Sequence, residues 1–139
     1  MKKMLSLTIG LIAALIITAC TSIVIADNQR GQVTGEVMYR ERIALPDDAK
    51  ITVSLQDVSK MDVAAEVISQ HVFLSRGEQV PLSYALSFDR DKIRPNHTYA
   101  VSARIEVDGK LWFITDTQYR VITDPENTEI MNLLLVKVN

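Results

Sequence analysis

The sequence feature that most restricts the fold is a two-residue turn, Asp108-Gly109, between two runs of alternating apolar and polar residues. The runs extend from Tyr99 to Val107 and from Leu111 to Thr117. Asp-Gly in this position is the strongest short-range signal for a β-hairpin, because a type I′ turn requires positive φ at both central residues. Alternation with a period of two indicates half-buried strands. The sequence therefore predicts a hairpin over residues 99–117.

The two-residue turn also predicts which residues face each other across the hairpin. Val107 is expected to face Lys110, and the next pairs are Ile105 with Trp112, Ala103 with Ile114 and Val101 with Asp116. One face then forms the core, with Trp112 and Ile114 buried. The opposite face directs Leu111 and Phe113 outward. Asp116 becomes a candidate buried carboxylate, which must be paired or hydrogen-bonded, either by capping a loop backbone or by holding a ligand.

Similar alternation recurs along most of the chain after residue 31. Further strands are predicted over residues 32–40, 51–55, 67–74, 82–88 and 130–138, with turns near Pro46, Gly77 and Pro125. Short strands at steps of roughly ten residues, without an amphipathic helix, favour a sandwich or a barrel. We predict a single antiparallel β-sandwich of about seven to eight strands that occupies residues 32–139.

The last predicted strand is apolar on both faces, since Ile130, Leu134 and Val136 alternate with Met131, Leu133 and Leu135. With water on one side it would expose an aliphatic row, which must be covered by the sandwich, by a second copy or by a partner. Met131, Leu133 and Leu135, together with Leu111 and Phe113 of the hairpin, therefore form a candidate partner surface.

Residues 1–19 have the organisation of a secretory signal peptide, with Lys2 and Lys3 before an apolar stretch and Ala19 at its end. Ile17-Thr18-Ala19-Cys20 resembles the lipobox of bacterial lipoproteins, in which the cysteine becomes the lipidated N-terminus. Lipidation would also explain why Cys20, the only cysteine, is a lone thiol in an exported protein. Two alternatives are an uncleaved membrane helix over residues 5–26, since about 20 residues span a bilayer, and cleavage after Ala26.

Lipoproteins of this type are implied to carry three fatty-acyl chains, and two or more chains hold a protein on a membrane. Thr21, rather than aspartate, follows the cysteine, which by resemblance to sorted lipoproteins favours the periplasmic face of the outer membrane. Residues 20–31 form a tether, whose freely extended part spans at most about 35 Å. Within it, Ile23-Val24-Ile25 either dips into the lipid, adds an edge strand or is part of an unstructured linker.

Composition excludes several classes of function. Without residues 1–19 the chain has 13 basic and 17 acidic side chains, a net charge of −4 that offers no electrostatic footprint for nucleic acid. His71 and His97 are the only histidines, and the mature chain has no cysteine to complete a zinc site with them. The sequence contains no Gly-x-Ser-x-Gly elbow, no Gly-rich phosphate loop and no His-Glu-x-x-His motif. We expect no cofactor, no metal and no catalytic residue.

Several short motifs resemble the YbaY/YscW-type lipoprotein family. They are Ala44-Leu45-Pro46-Asp47-Asp48-Ala49, Leu55-Gln56-Asp57-Val58-Ser59, Gly77, Pro81, Asp108-Gly109-Lys110-Leu111 and Phe113-Ile114-Thr115-Asp116-Thr117. The resemblance covers nearly all of residues 31–123. It implies a lipid-anchored periplasmic β-sandwich. One branch of the family contains pilotins, which stabilise and target the secretin ring of type III secretion. The Leu45-Pro46 turn and residues 113–117 look closer to the YbaY branch, which has no settled activity.

Two classes of function follow. The first is a binding or chaperone-like module that docks an envelope partner, secretin-like or other, through a strand edge or an apolar groove. The second is an enzyme, or an enzyme accessory, that acts on cell-wall or surface polysaccharide. The absence of a catalytic set favours the first.

Overall fold

The computed structural model describes residues 29–60 and 62–138. They form eight strands and one 3-10 helix, Arg90–Lys92, which lies between β4 and β5. The strands are β1 (Arg30–Tyr39), β2 (Lys50–Asp57), β3 (Glu66–Leu74), β4 (Leu82–Asp89), β5 (Tyr99–Val107), β6 (Lys110–Ile114), β7 (Tyr119–Val121) and β8 (Leu133–Lys137). The predicted all-β class is confirmed. The signal sequence, Cys20 and residues 21–28 lie outside the described residues, so the predictions made for them stay predictions.

The strands form one sheet in the order β3-β2-β5-β6-β8-β1-β4, with β7 also paired to β5. β8 is antiparallel to β6 and parallel to β1, so it joins the two halves that would otherwise form separate layers. The terminal strands β3 and β4 meet where the backbone N–H of Ala85 donates to Nδ1 of His71 at 3.2 Å. The sheet is therefore nearly closed and barrel-like, where the sequence predicted a sandwich.

The core fills the inside of this sheet. Inward side chains alternate along β2, where Ile51, Val53 and Leu55 are fully buried, and the same period holds along β1, β4 and β5. Gly35 of β1 faces the chain segment before β8. An added Cβ would lie 1.8 Å from the carbonyl oxygen of Met131, so only glycine permits this close approach. In the part of the chain that is described, no helix has the length and apolar character needed to cross a membrane.

The Asp108-Gly109 hairpin forms as predicted at its turn. Both residues have positive φ, 51° and 76°, and Val107 pairs with Lys110. The predicted register also holds for Glu106, which pairs with Leu111, but it is wrong beyond this pair, because Ile105 pairs with Phe113 instead of with Trp112. Trp112 is thus the extra residue of a β-bulge.

The bulge moves the following side chains of β6 to the opposite face, since successive residues of a strand point to opposite sides. Phe113, predicted to point outward, is fully buried and stacks on Tyr39 with ring centroids 4.0 Å apart. Ile114, predicted to lie in the core, is 36% exposed. Trp112 is half-buried at the edge of the core instead of inside it.

Asp116 is not a buried carboxylate. β6 ends at Ile114, and Val101 pairs with Tyr119 of β7 instead of with Asp116. Asp116 is exposed in the connection between β6 and β7, where it accepts a hydrogen bond from the Thr117 hydroxyl at 3.1 Å.

The predicted partner surface on the last strand is also largely wrong. Leu133 and Leu135 are buried in the core, because β8 lies between β1 and β6 and both side chains point to the inside of the nearly closed sheet. Met131 and Leu111 are half-buried, and Met131 packs against the core. The alternative noted above, that the domain itself covers the C-terminal strand, holds for the inward face of β8.

Candidate docking site

The edge strand β3 carries a row of exposed aliphatic side chains on the outside of the sheet. Val67, Val72 and Leu74 are 48%, 49% and 47% exposed, and we call them the β3 ridge. Among the described strands, β3 pairs along its backbone with β2 on one side only. A bulge at Ile68, opposite the Leu55–Gln56 step of β2, brings Val67 to the same face as the other two. The ridge is therefore both apolar and located on an incompletely paired strand.

Beside the ridge lies a groove on the outer face of β2 and β5. Thr52 pairs with Val72 on one side and with Arg104 on the other, and Arg104 pairs with Ile114 of β6. This order places polar residues on the floor and aliphatic residues on both sides. The outer groove encloses about 320 Å³, and its lining includes Thr52, Ser54, Ser102, Val67, Gln70 and Ile114.

The floor of the outer groove is buried although it belongs to the outer face. Thr52 and Ser54 are only 4% and 7% exposed. The Ser54 hydroxyl accepts a hydrogen bond from the side-chain amide of Gln70 at 3.1 Å. The Thr52 hydroxyl is buried and has no hydrogen-bond partner among the described residues. A buried hydroxyl without a partner costs about 1 to 3 kcal/mol, so this group destabilises the folded domain.

Positive charge flanks the far end of the ridge. Lys50, which pairs with Leu74, and Arg76 line a shallow cleft with Val72 and Leu74. Neither basic residue forms a salt bridge within the described part of the chain. In contrast, Arg104 is paired with Glu106 at 2.7 Å across the outer face. Lys50 and Arg76 therefore place positive charge at this end of the ridge.

The sequence contained one signal for this site. Val72-Phe73-Leu74 is apolar at three consecutive positions, so both faces of β3 are apolar there. Only one of the two faces can pack on the core, and the other stays exposed unless another element covers it. The sequence does not reveal that β3 is the edge strand, and the analogous signal in residues 130–136 pointed to the wrong strand.

The two histidines do not form a common site. His71 accepts a hydrogen bond from the Ala85 amide at the contact between β3 and β4. Nδ1 of His97 instead lies 2.7 Å from Oδ2 of Asp57, near the end of β2. Within the described residues, no group of three or more histidine, cysteine or acidic side chains is arranged to hold a metal ion.

Asp57 organises a local network at this end of the domain. Its Oδ1 accepts hydrogen bonds from the Ser59 amide at 3.0 Å and from the Ser59 hydroxyl at 2.6 Å. The Ser59 hydroxyl oxygen in turn accepts from the Thr98 amide at 2.8 Å. Burial raises the pKa of Asp57, but the hydrogen bonds from Ser59 and His97 outweigh it and lower the pKa from 3.8 to about 2. The contacts of Asp57 with His97 and of Ser59 with Thr98 join the end of β2 to the loop before β5, so the network serves the fold.

Comparisons with known proteins agree with this fold. A curated relative, the uncharacterized lipoprotein YbaY of Escherichia coli (strain K12), is 43% identical over 94 residues, which are 68% of this chain and 50% of that protein. The chain thus spans about half the length of this relative. A solved structure of an alternative pilotin from the type II secretion system of Vibrio cholerae is 56% identical, with a TM-score of 0.77, covering 79% of this chain and 98% of that one.

The family assignment comes from a match over residues 28–133. This range includes seven of the eight strands and the first residue of β8. The match thus extends over well more than half of the chain and includes every residue named for the outer groove. The protein therefore belongs to the YscW family of type III secretion system lipoprotein chaperones.

Proposed function

We propose that this protein is a lipid-anchored, pilotin-like module that binds a secretin-type protein of the cell envelope through the outer groove and the β3 ridge. The observation that carries the proposal is the exposed aliphatic ridge on β3, a strand that is paired along its backbone on one side only. Membership of a chaperone family favours a binding role over catalysis. The 56% identity to a pilotin supports a secretin-type partner more directly than the 43% identity to YbaY supports the branch without settled activity.

An exposed aliphatic ridge on an edge strand is unfavourable for a protein that has no binding partner. An exposed aliphatic edge strand invites pairing with other chains, and natural proteins protect such edges with charges, prolines or covering loops. Val67, Val72 and Leu74 form instead a row with nearly half of each side chain in water. A row of this kind marks a surface that a partner covers.

The chemistry of the surface specifies what the partner segment should present. The aliphatic ridge favours a segment with apolar side chains at regular spacing. Lys50 and Arg76 favour acidic residues at one end of that segment. A groove of about 320 Å³ holds a few side chains, so the partner contributes a short segment, not a domain face.

Placement on the membrane is part of the proposal. Cys20 is proposed to carry the lipid, and Thr21 to direct the protein to the periplasmic face of the outer membrane. Cys20→Ser should give an uncleaved precursor or a soluble periplasmic form. A Cys20→Ser protein that stays with the outer membrane after a high-salt wash would contradict the anchor.

The binding site is tested by photo-crosslinking in cells. A benzophenone amino acid at Val72 of the full-length protein should crosslink to a secretin subunit, identified by mass spectrometry. The same probe at Ile130, an aliphatic residue that is 74% exposed and belongs to neither the ridge nor the groove, is the matched control. Crosslinking to a secretin subunit from both positions, or from neither, would refute the assignment of the surface.

An introduced charge then tests function. Val72→Glu places a carboxylate in the apolar ridge on the solvent side, where it does not disturb the core. We expect it to lower the amount of assembled secretin in the outer membrane, whereas Ile130→Glu should leave that amount unchanged. Normal secretin assembly with a folded Val72→Glu protein would rule out the ridge as the docking surface.

A further inference from the structure

A second cleft lies at the end of the domain where the described chain begins. It encloses about 410 Å³ and has an apolar part formed by Phe88, Ile93, Pro95 and Ile122. Arg90 and Glu129 form a salt bridge of 3.1 Å at its rim, and the Arg90 guanidinium lies 5.7 Å from the centre of the Phe88 ring. We call it the end cleft. It is distinct from the outer groove and shares no lining residue with it.

Ile122 is held in the wall of the end cleft against its backbone preference. Its φ is 66°, in the left-handed region that β-branched residues rarely occupy. The Ile122 amide donates to the Thr128 carbonyl at 2.8 Å, and the Thr128 amide donates to Asp124 Oδ1 at 2.7 Å. Residues held in such conformations cluster at binding sites, where the surrounding structure fixes them.

Strand β1 begins beside this cleft. Gly31 pairs with Phe88, and an added Cβ at Gly31 would lie 2.3 Å from the Phe88 ring. The Phe88 ring therefore covers the backbone of β1 where the described chain starts. Arg30, the first residue of β1, therefore lies close to the rim of the end cleft.

We propose that Ile23-Val24-Ile25 of the tether occupies the end cleft. These three aliphatic residues stand five to seven positions before Arg30, so at about 3.5 Å per residue they can reach across the end of the domain. Three aliphatic side chains in the aqueous periplasm need cover, and an apolar cleft lies within their reach. A tether this short raises the local concentration of the segment to roughly millimolar, which makes a weak contact sufficient.

Docking of this segment sets the position of the domain relative to the membrane. Only Thr21 and Ser22 remain between Ile23 and the proposed lipidated Cys20, a span of about 10 Å. The end of the domain with Phe88 and Ile122 would then face the lipid closely, and the domain would lose most of its freedom to reorient.

Disulfide trapping tests the proposal in the lipidated full-length protein. Cys20 is the only natural cysteine, and its sulfur cannot form a disulfide once it carries lipid. Any intramolecular disulfide therefore joins the two introduced cysteines. Val24→Cys combined with Pro95→Cys, at the exposed rim of the cleft, should form an intramolecular disulfide under mild oxidation. Val24→Cys combined with Lys92→Cys, at an exposed position on the same end of the domain that does not line the cleft, is the matched control. We expect the first pair to close about tenfold faster, as the local concentration near the cleft requires.

A third variant distinguishes docking of residues 23–25 in the end cleft from their insertion into the lipid. Ile122→Ser in the first pair removes the apolar wall and should slow disulfide formation several-fold, with folding verified by thermal melting of each variant. Equal rates for the two pairs, or a rate that does not respond to Ile122→Ser, would overturn the proposal. Because these readouts need no partner, their failure would leave the proposed secretin binding unaffected.

Discussion

Thr52→Val offers a direct test of the outer groove. It replaces the buried hydroxyl with a methyl group of the same shape, and valine is at least as favourable as threonine in a strand. The Thr52 hydroxyl has no hydrogen-bond partner among the described residues, and the residue is 4% exposed. A buried hydroxyl in this state costs about 1 to 3 kcal/mol. Removing it should therefore raise the free energy of unfolding by about 1 to 2 kcal/mol.

The assay is thermal and urea denaturation of the purified protein, followed by circular dichroism. For a domain of about 100 residues, each kcal/mol raises the melting temperature by about 4 to 8 °C. Ser54→Ala is the control, because it removes a neighbouring hydroxyl that accepts a hydrogen bond from Gln70 at 3.1 Å. That variant should lose about 0.5 to 1.5 kcal/mol. The two substitutions thus have opposite predicted signs on one face of one strand.

The same variant separates stability from function. Because the Thr52 hydroxyl is buried, a partner on the groove does not reach it, and Thr52→Val should leave secretin binding unchanged while the protein becomes more stable. Weaker binding by a folded Thr52→Val protein would refute this. A less stable Thr52→Val protein would show that the hydroxyl already has a partner, such as an ordered water.

Three further predictions concern the fold. Phe113→Ala should lower the free energy of unfolding by about 3 to 5 kcal/mol, because the ring is fully buried. Trp112→Ala should lower it less, because Trp112 is only half-buried. Equal losses of stability in urea denaturation would contradict the bulge. The pKa of Asp57 is lowered from 3.8 to about 2, so its charged carboxylate stabilises the folded state by about 1 to 2 kcal/mol after screening by solvent. This stabilisation is present above pH 3.8 and is lost as the pH falls through 2. Asp57→Asn should be less stable at neutral pH and should lack this pH dependence, and parallel pH profiles of the two proteins would refute the network. His71→Ala leaves the backbone N–H of Ala85 in β4 without its acceptor and should lower the free energy of unfolding by about 1 to 3 kcal/mol. Hydrogen exchange should become faster only at the contact between β3 and β4. Unchanged exchange at this contact would show that it does not close the sheet.

Much of the secondary structure could be predicted from the sequence alone. Period-two alternation predicts strands wherever one face is buried, which is why β1, β2, β4 and β5 lie close to their expected positions. Asp108-Gly109 predicts its own turn, because few other residue pairs adopt positive φ twice in succession. These signals are local, and each is contained in about ten residues.

The candidate site could not be predicted in the same way. Alternation assigns side chains to faces only as far as the next bulge, and the bulge at Trp112 exchanged the roles of Phe113 and Ile114. A strand that is apolar on both faces can be central or can lie at an edge, and the sequence of residues 130–136 does not distinguish the two.

Only the tertiary structure decided which strand is covered. β8 lies between β1 and β6, which buries Leu133 and Leu135, whereas β3 ends the sheet and keeps Val72 and Leu74 in water. The Asp57–His97 pair, 40 residues apart, is likewise set by strand order. The physical reason is that neighbours in a sheet are chosen by pairing across long stretches of chain, and this choice, not the local pattern, determines which apolar face is left for a partner.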